Sequence, residues 1–308
     1  MKISFPTNLL PTSVLACLLF QVAVAQPADP TEPGKIGFTS STTNTFTGKA
    51  KLKDKRNSYD DVQINSSALA IGQELSLGGA GSLSLGIAYN LIDIDNGDRK
   101  QLNRAPLPNK LQSLGASLGY STQIDDRWLL SSSVSATSHV ANYGLLKKGW
   151  GVGGHVMGLY TWSPTLTVAV GLAYDSMSED WNCVPLLGFE WRPAERWSVA
   201  IGIPKTSVSY ELNEKVTLSL AVSGDGGTYY IKDDPRPGVA PRSLDDSKLE
   251  FSELRLGFQT DLKVNKAISV SSSIGSVLYR EAKYIDRGYK LKSDNIVPFV
   301  TLALNVAL

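Results

Sequence analysis

The sequence predicts an all-β protein, an antiparallel up-and-down transmembrane β-barrel of about 14 strands within a range of about 12 to 16. Three observations carry this. Segments of about ten residues alternate apolar with small or polar residues, the period of a half-buried strand. The connections between them alternate between tight turns and longer polar loops, and Trp and Tyr residues lie beside the tight turns on the apolar parity.

The chain starts with the layout of an export signal. Met1 and Lys2 precede a largely apolar run from Val14 to Ala25, and Ala23-Val24-Ala25 supplies the small residues a signal peptidase reads. Residues 1–25 are therefore read as a signal peptide, 26–35 as a periplasmic leader rich in Pro, Asp and Glu, and 36–308 as one barrel domain of the bacterial outer membrane. A rival reading makes Val14-Leu15-Ala16-Cys17 a lipobox with Cys17 acylated, but apolar residues continue past that cysteine. Removal of Cys17 leaves Cys183 alone, so no internal disulfide is expected. The formal net charge of +1 gives no footprint for nucleic acid. The basic stretch from Lys49 to Arg56 reads as a solvated loop, with contact to lipid phosphate as the sharper alternative.

From Ile36 onward the strand pattern repeats. Leu83, Leu85, Ile87 and Tyr89 alternate with Ser82, Ser84, Gly86 and Ala88, and Leu114 to Tyr120 alternate with Ser and Gly. Val168, Val170 and Leu172 alternate with Ala169 and Gly171, and Val216, Leu218 and Leu220 with Thr217 and Ser219. Leu254, Leu256, Phe258 and Leu262 oppose Glu253, Arg255, Gln259 and Asp261, and Ile268, Val270 and Ile274 oppose three serines. Each segment alone is a weak signal, and the repetition is the strong one. Alternation by itself suits a soluble sandwich or lipocalin-like barrel equally well, so direction must come from elsewhere.

Loops and aromatics supply it. Tight turns fall at Gly78 to Ala80, Asp125 to Arg127, Ser163 to Thr165, Ala194 to Arg196, Asn213 to Lys215 and Lys263 to Lys266. Longer loops are read near Lys49 to Asp60, Asp95 to Asn109, Ala141 to Lys148, Ser178 to Cys183, Lys232 to Ser247 and Asp286 to Asn295, with Pro204-Lys205 short. Tyr120, Trp128, Trp162, Trp191, Trp197 and Tyr210 flank the turns with the parity of the apolar face, as an aromatic girdle requires. The last strand keeps Val300, Leu302, Leu304, Val306 and Leu308 on one parity, ending in Leu where Phe or Tyr is the commoner signal to the barrel-assembly machinery.

The other parity is mostly Gly, Ser, Ala and Thr with sparse charges: Glu74, Asp175, Glu190, Arg192, Glu211, Glu253, Arg255 and Asp261, with Glu281 and Lys283 read on the same side. These are candidate lumen groups that bias passage, or ion pairs that tie adjacent strands. The two histidines, His139 and His155, share that parity. A Ser–His hydrolase built on His139 with Ser131, Ser133 or Ser135 is conceivable, but lipid hydrolysis wants the pair on the lipid side, so no enzyme activity is expected. No metal site is expected: Asp93 to Asp98 opens like a calcium loop, but Arg104 stands where a bidentate Glu is required. Gly151-Val152-Gly153-Gly154 opens a strand rather than a helix and cradles no phosphate. No cofactor is expected. The partners expected are outer-membrane lipid and lipopolysaccharide, and a small solute.

Gly188-Phe189-Glu190-Trp191-Arg192-Pro193, followed by Trp197, Ile203-Pro204-Lys205 and Val208 to Tyr210, resembles a segment of an uncharacterised bacterial family of outer-membrane barrels, the domain of unknown function 6268 type. The resemblance extends over about Ile36 to Leu308 and implies an exported barrel, without site residues to transfer. The expected function is a passive pore or solute-binding channel for small molecules; the alternatives are a non-conducting barrel that contacts envelope components and an outer-membrane lipid hydrolase.

Overall fold

The computed structural model describes residues 34–55, 57–96, 105–142, 144–178, 182–202, 205–235 and 244–308. The expected signal peptide and most of the leader lie outside them, as do Gly97, Asp98 and Arg104 of the calcium-loop comparison and the Pro204 connection.

Fourteen staves close into one antiparallel barrel. Two staves are interrupted: β1 (Ile36–Thr47) continues past Gly48 as β2 (Lys49–Lys53), and β15 (Tyr289–Ser293) continues as β16 (Val297–Ala307). A Cβ on Gly48 would press on the Pro298 ring at 3.1 Å, so the two breaks lie against each other. The remaining staves are β3 (Ser58–Ser76), β4 (Ser82–Asp95), β5 (Lys110–Gln123), β6 (Trp128–Ala141), β7 (Trp150–Ser163) and β8 (Leu166–Asp175). They are followed by β9 (Cys183–Ala194), β10 (Trp197–Ile201), β11 (Lys205–Asn213), β12 (Val216–Ile231), β13 (Ser247–Lys263) and β14 (Ile268–Tyr284). Each pairs with its sequence neighbour. Closure comes from β1, which runs against β3 on one side and against β16 on the other, from Thr39↔Ala307 to Thr47↔Phe299.

The six tight turns expected from the sequence all lie at the end that holds both barrel termini. Three of them share one device. The carboxylate or amide oxygen of Asp125, Asn213 and Asn265 accepts from the backbone N–H groups two and three residues on, at 2.8–3.0 Å. The outward faces are an apolar belt: Leu187, Ile274, Ile87 and Val134 are 58–68% exposed. A soluble protein would bury such a surface; a bilayer covers it.

Two expected loops turn out to be strand. Lys49, Lys51 and Lys53 face outward on β2 and pair with Asp61 at 3.7 Å, Asp60 at 3.1 Å and Asp294. Ala50 and Leu52 between them point inward and are buried. The basic stretch up to Lys53 is thus an alternating strand whose polar face is Lys, and the connection to β3 shrinks to a turn closed by Asp54 N–H to the Asn57 carbonyl. Likewise Tyr289, Leu291 and Ser293 alternate with Lys290 and Lys292 in β15.

A further departure changes the shape of the loop end. β11 first meets β12 at Lys205↔Ser223, so β12 runs on from Gly224 to Ile231 beyond that neighbour. Gly226, at φ +152°, redirects it, and its tip pairs parallel with β6 at Tyr230↔Val140 and Ile231↔Ala141. The loop end therefore narrows to a neck built from β2 to β6 and β12 to β15, leaving β7 to β11 outside it.

Candidate functional site

The lumen is the concave feature that every stave lines. At the turn end it holds a cavity of about 170 Å³ among Glu74, Ser84, Ser117, Ser131 and Ser133. Towards the loop end lies a larger cavity of about 400 Å³ lined by Ser and Thr hydroxyls with Asn90, His139, Lys205, Asp225, Tyr229 and Arg255.

Small inward side chains follow from the pleat and from close packing across neighbouring strands. A Cβ on Gly86 would meet the Ser117 hydroxyl at 2.7 Å, and one on Gly119 the Ser84 hydroxyl at 2.4 Å. Larger residues there would have to displace the wall, so the lining stays narrow in chemistry and open in space.

Between the larger cavity and the neck sits a buried ionic cluster. Glu253, 3% exposed, accepts from Arg280 Nε on one oxygen and from Arg255 Nε at 2.9 Å and Nη2 at 2.6 Å on the other. Arg255 also reaches Asp225 at 3.1 Å, and lies over the Phe299 ring at 5.9 Å. Arg280, 1% exposed, has Thr47 Oγ as a further contact at 3.5 Å. Strict alternation places Arg280 outside and Glu281 and Lys283 inside. The structure reverses this, because β14 carries an extra residue at Leu278, where Leu254 pairs with Tyr279 but Arg255 with Val277. Beyond that bulge Arg280, Ala282 and Tyr284 face inward, while Glu281 pairs outward with Lys292 at 2.9 Å and Lys283 with Glu250 at 3.8 Å.

Above the cluster the lining turns apolar. Ile64, Ile92, Leu111, Tyr229, Phe251, Leu291 and their neighbours form one buried cluster that includes side chains from each strand of the neck, and Ala105 and Leu107 from the β4–β5 connection join it. Tyr284 donates to the Pro106 carbonyl at 2.7 Å and Asn96 to the Leu107 carbonyl at 2.9 Å, which holds residues 105–108 in the neck. The polar lining thus ends in an apolar septum, which the alternation pattern did not foretell. At the rim, outside the lipid belt, Tyr289 donates to Asp54 at 2.8 Å; burial and the bonds with Tyr59 and Asp54 raise its phenol above the ordinary range.

The other expected lumen charges stand apart from this cluster. Glu190 and Arg192 pair with each other at 2.9 Å on the turn-side half of β9, both well exposed to lumen water, and Glu211 is exposed nearby. Asp261 accepts from Gln259 at 2.7 Å and from Ser271, while Glu74 lines the smaller cavity. Asp175, 6% exposed, caps the end of β8, where it accepts from Met177 N–H at 2.8 Å. Of the aromatic residues, Trp162, Trp197, Trp191 and Tyr120 are 36–68% exposed, and Trp128 and Tyr210 pack at a tilt against Tyr160 and Trp197, ring centres 4.8 and 4.9 Å apart. His139 stands opposite Ser113 on β5, and its ring meets Tyr229 edge-on at 5.8 Å rather than Ser133. His155 instead lies 2.8 Å from Ser133, on the lumen side of β6 and β7. Cys183 is exposed at the start of β9.

Fold and lumen together define an up-and-down barrel of the outer-membrane type. The chain belongs to the family described as Domain of unknown function (DUF6268), whose profile matches residues 80–295. Among solved structures it is similar to the COG4313 outer membrane channel from Pseudomonas putida F1, at 12% identity and TM-score 0.46 over 92% of this chain and 100% of that one. It is also similar to the Pseudomonas putida toluene transporter TodX, at 10% identity and TM-score 0.42 over 93% of each chain. The NanC porin follows at 10% identity and TM-score 0.39, over 87% of this chain and 98% of that one. These are likenesses of fold. A comparison with curated proteins gives no match.

Proposed function

We propose that the protein is an outer-membrane channel for small solutes, entered from the periplasmic turn end and closed at the outer end by the septum. The observation that carries this is the polar lumen running up to a plug made partly of a loop. A barrel needed only as an anchor has no use for hydroxyl-lined cavities at both levels of its lumen, whereas a channel needs a low-cost polar path and a barrier that can move. Residues 105–108 are the movable part, tied to the wall by the Tyr284 and Asn96 hydrogen bonds. Single-channel recording in planar bilayers tests the reading. The intact protein is expected to conduct rarely, and a variant lacking residues 97–108 to conduct steadily.

One observation favours a non-conducting envelope barrel as the second reading. Much of the septum comes from the strands themselves, among them Ile64, Ile92, Leu111 and Phe251. A loop-deleted barrel that folds and stays silent supports that reading and sinks the channel. In either case export by residues 1–25, delivery by the assembly machinery and contact of the outer rim with lipopolysaccharide belong to the proposal.

A further inference from the structure

We propose that the cavity beneath the septum is a binding subsite for a neutral, polyhydroxylated solute of sugar size. The inference rests on the lumen being a solute path, and four features select the ligand class.

The first is charge. Asp225, Arg255 and Lys205 line the cavity, and Glu253, Arg280 and Asp261 stand beside them, so that carboxylates and cations balance over the cluster as a whole. Lys205 and Asp261 are linked through Gln259, which accepts from Lys205 at 2.7 Å and donates to Asp261 at 2.7 Å. An ionic solute would have to break one of these pairs and leave its partner uncompensated, whereas a neutral one need not. The second is the lining: Ser41, Thr43, Ser66, Ser223 and Ser273 present hydroxyls that both donate and accept, which suits a ligand whose own groups do the same.

Third, Tyr229, Phe299 and His139 add aromatic rings to the lining of the same cavity, apolar surface against which the C–H groups of a pyranose pack. Fourth, among the described residues the buried Nδ1 of His139 has no hydrogen-bond partner. Such an atom is costly to leave unpaired, and a turn of the His139 ring towards the cavity it lines would pair it with a ligand hydroxyl. The volume of about 400 Å³ lies within the range of small-molecule sites.

The test is calorimetric titration of the full-length protein in detergent micelles with glucose and maltose, and with glucuronate and glucosamine as acidic and basic analogues of the same ring. The neutral sugars are expected to bind saturably and the charged analogues at least about fivefold more weakly. His139→Phe, which keeps the ring and removes the nitrogen, is expected to weaken neutral-sugar binding by about fivefold. His139→Asn, which keeps a polar acceptor, is expected to restore part of the loss, and it serves as the readout if the Phe variant fails to fold. The proposal is overturned by charged analogues that bind as tightly as the neutral ones, by no saturable binding of either neutral sugar, or by affinity unmoved in both variants. Bilayer recording separates the two levels: current through the loop-deleted barrel without sugar binding removes the subsite alone, and sugar binding without current upholds the subsite and removes the channel.

Discussion

Replacing Glu253 by Ala isolates what the buried cluster contributes. In the native protein two guanidinium groups share this carboxylate, and its side chain and that of Arg280 are each only 1% exposed. Without it Arg255 keeps Asp225 at 3.1 Å, but among the described residues Arg280 keeps only Thr47 Oγ at 3.5 Å, too long to replace a charge-assisted bond. Removing one partner of a buried pair costs about 3–5 kcal/mol, most of it the price of the cation left behind. Glu253→Ala should therefore lose about that much stability, Arg280→Met clearly less because Glu253 retains Arg255, and Glu253→Ala/Arg280→Met should lose clearly less than the sum of the two, because the cation left behind is gone. Urea unfolding in lipid vesicles, followed by Trp fluorescence, gives all three values. A Glu253→Ala loss below about 1 kcal/mol, or a double mutant that is simply additive, would refute the argument that Arg280 depends on Glu253.

Other consequences are open to direct measurement. Tyr284→Phe removes the bond to the Pro106 carbonyl and should destabilise by about 1 kcal/mol while raising the frequency of channel openings. Leu187→Arg puts a charge on the lipid face, midway along β9, and should cost about 2–4 kcal/mol of folding into vesicles; Ala169→Arg, facing the lumen near Glu190, should cost much less. Equal penalties would mean that the two faces are assigned the wrong way round. Gly226→Ala forces a side chain onto φ +152° with its Cβ 2.1 Å from the Phe251 carbonyl oxygen, so a loss of at least about 1–3 kcal/mol and faster proteolysis at the neck are expected.

The barrel was legible because its signal is redundant: β4, β5, β8, β12 and β13 each repeat one alternation, and the turn residues Asp125 and Asn213 mark where it reverses. β2 and β15 were misread for a physical reason. Their polar face is Lys rather than Ser, and alternating Lys looks like a charged loop unless the apolar partners, Ala50 and Leu52 or Tyr289 and Leu291, are counted. Arg280 was missed because parity counting assumes an unbroken pleat, and the extra residue at Leu278 resets it. The septum was hidden for a different reason. Ile92 and Ile94 share the parity of Ala88, but beside the outward Leu91 they read as a run of apolar residues rather than as a lining that has changed character. The adjacency of Leu91 and Ile92 was the available clue.

The pairing of Tyr230 with Val140 also constrains the order in which the molecule can be completed. Val140 and Tyr230 lie far apart in the chain, and the five staves between them, β7 to β11, belong to the wide barrel and not to the neck. The neck is therefore a long-range closure laid over a wall built from neighbours, the kind of contact that carries the greatest loop entropy and forms late. The seal cannot be made on a partly threaded chain. A chain that ends before Gly224 has every stave from β1 to β11 and still lacks the strand that closes the neck.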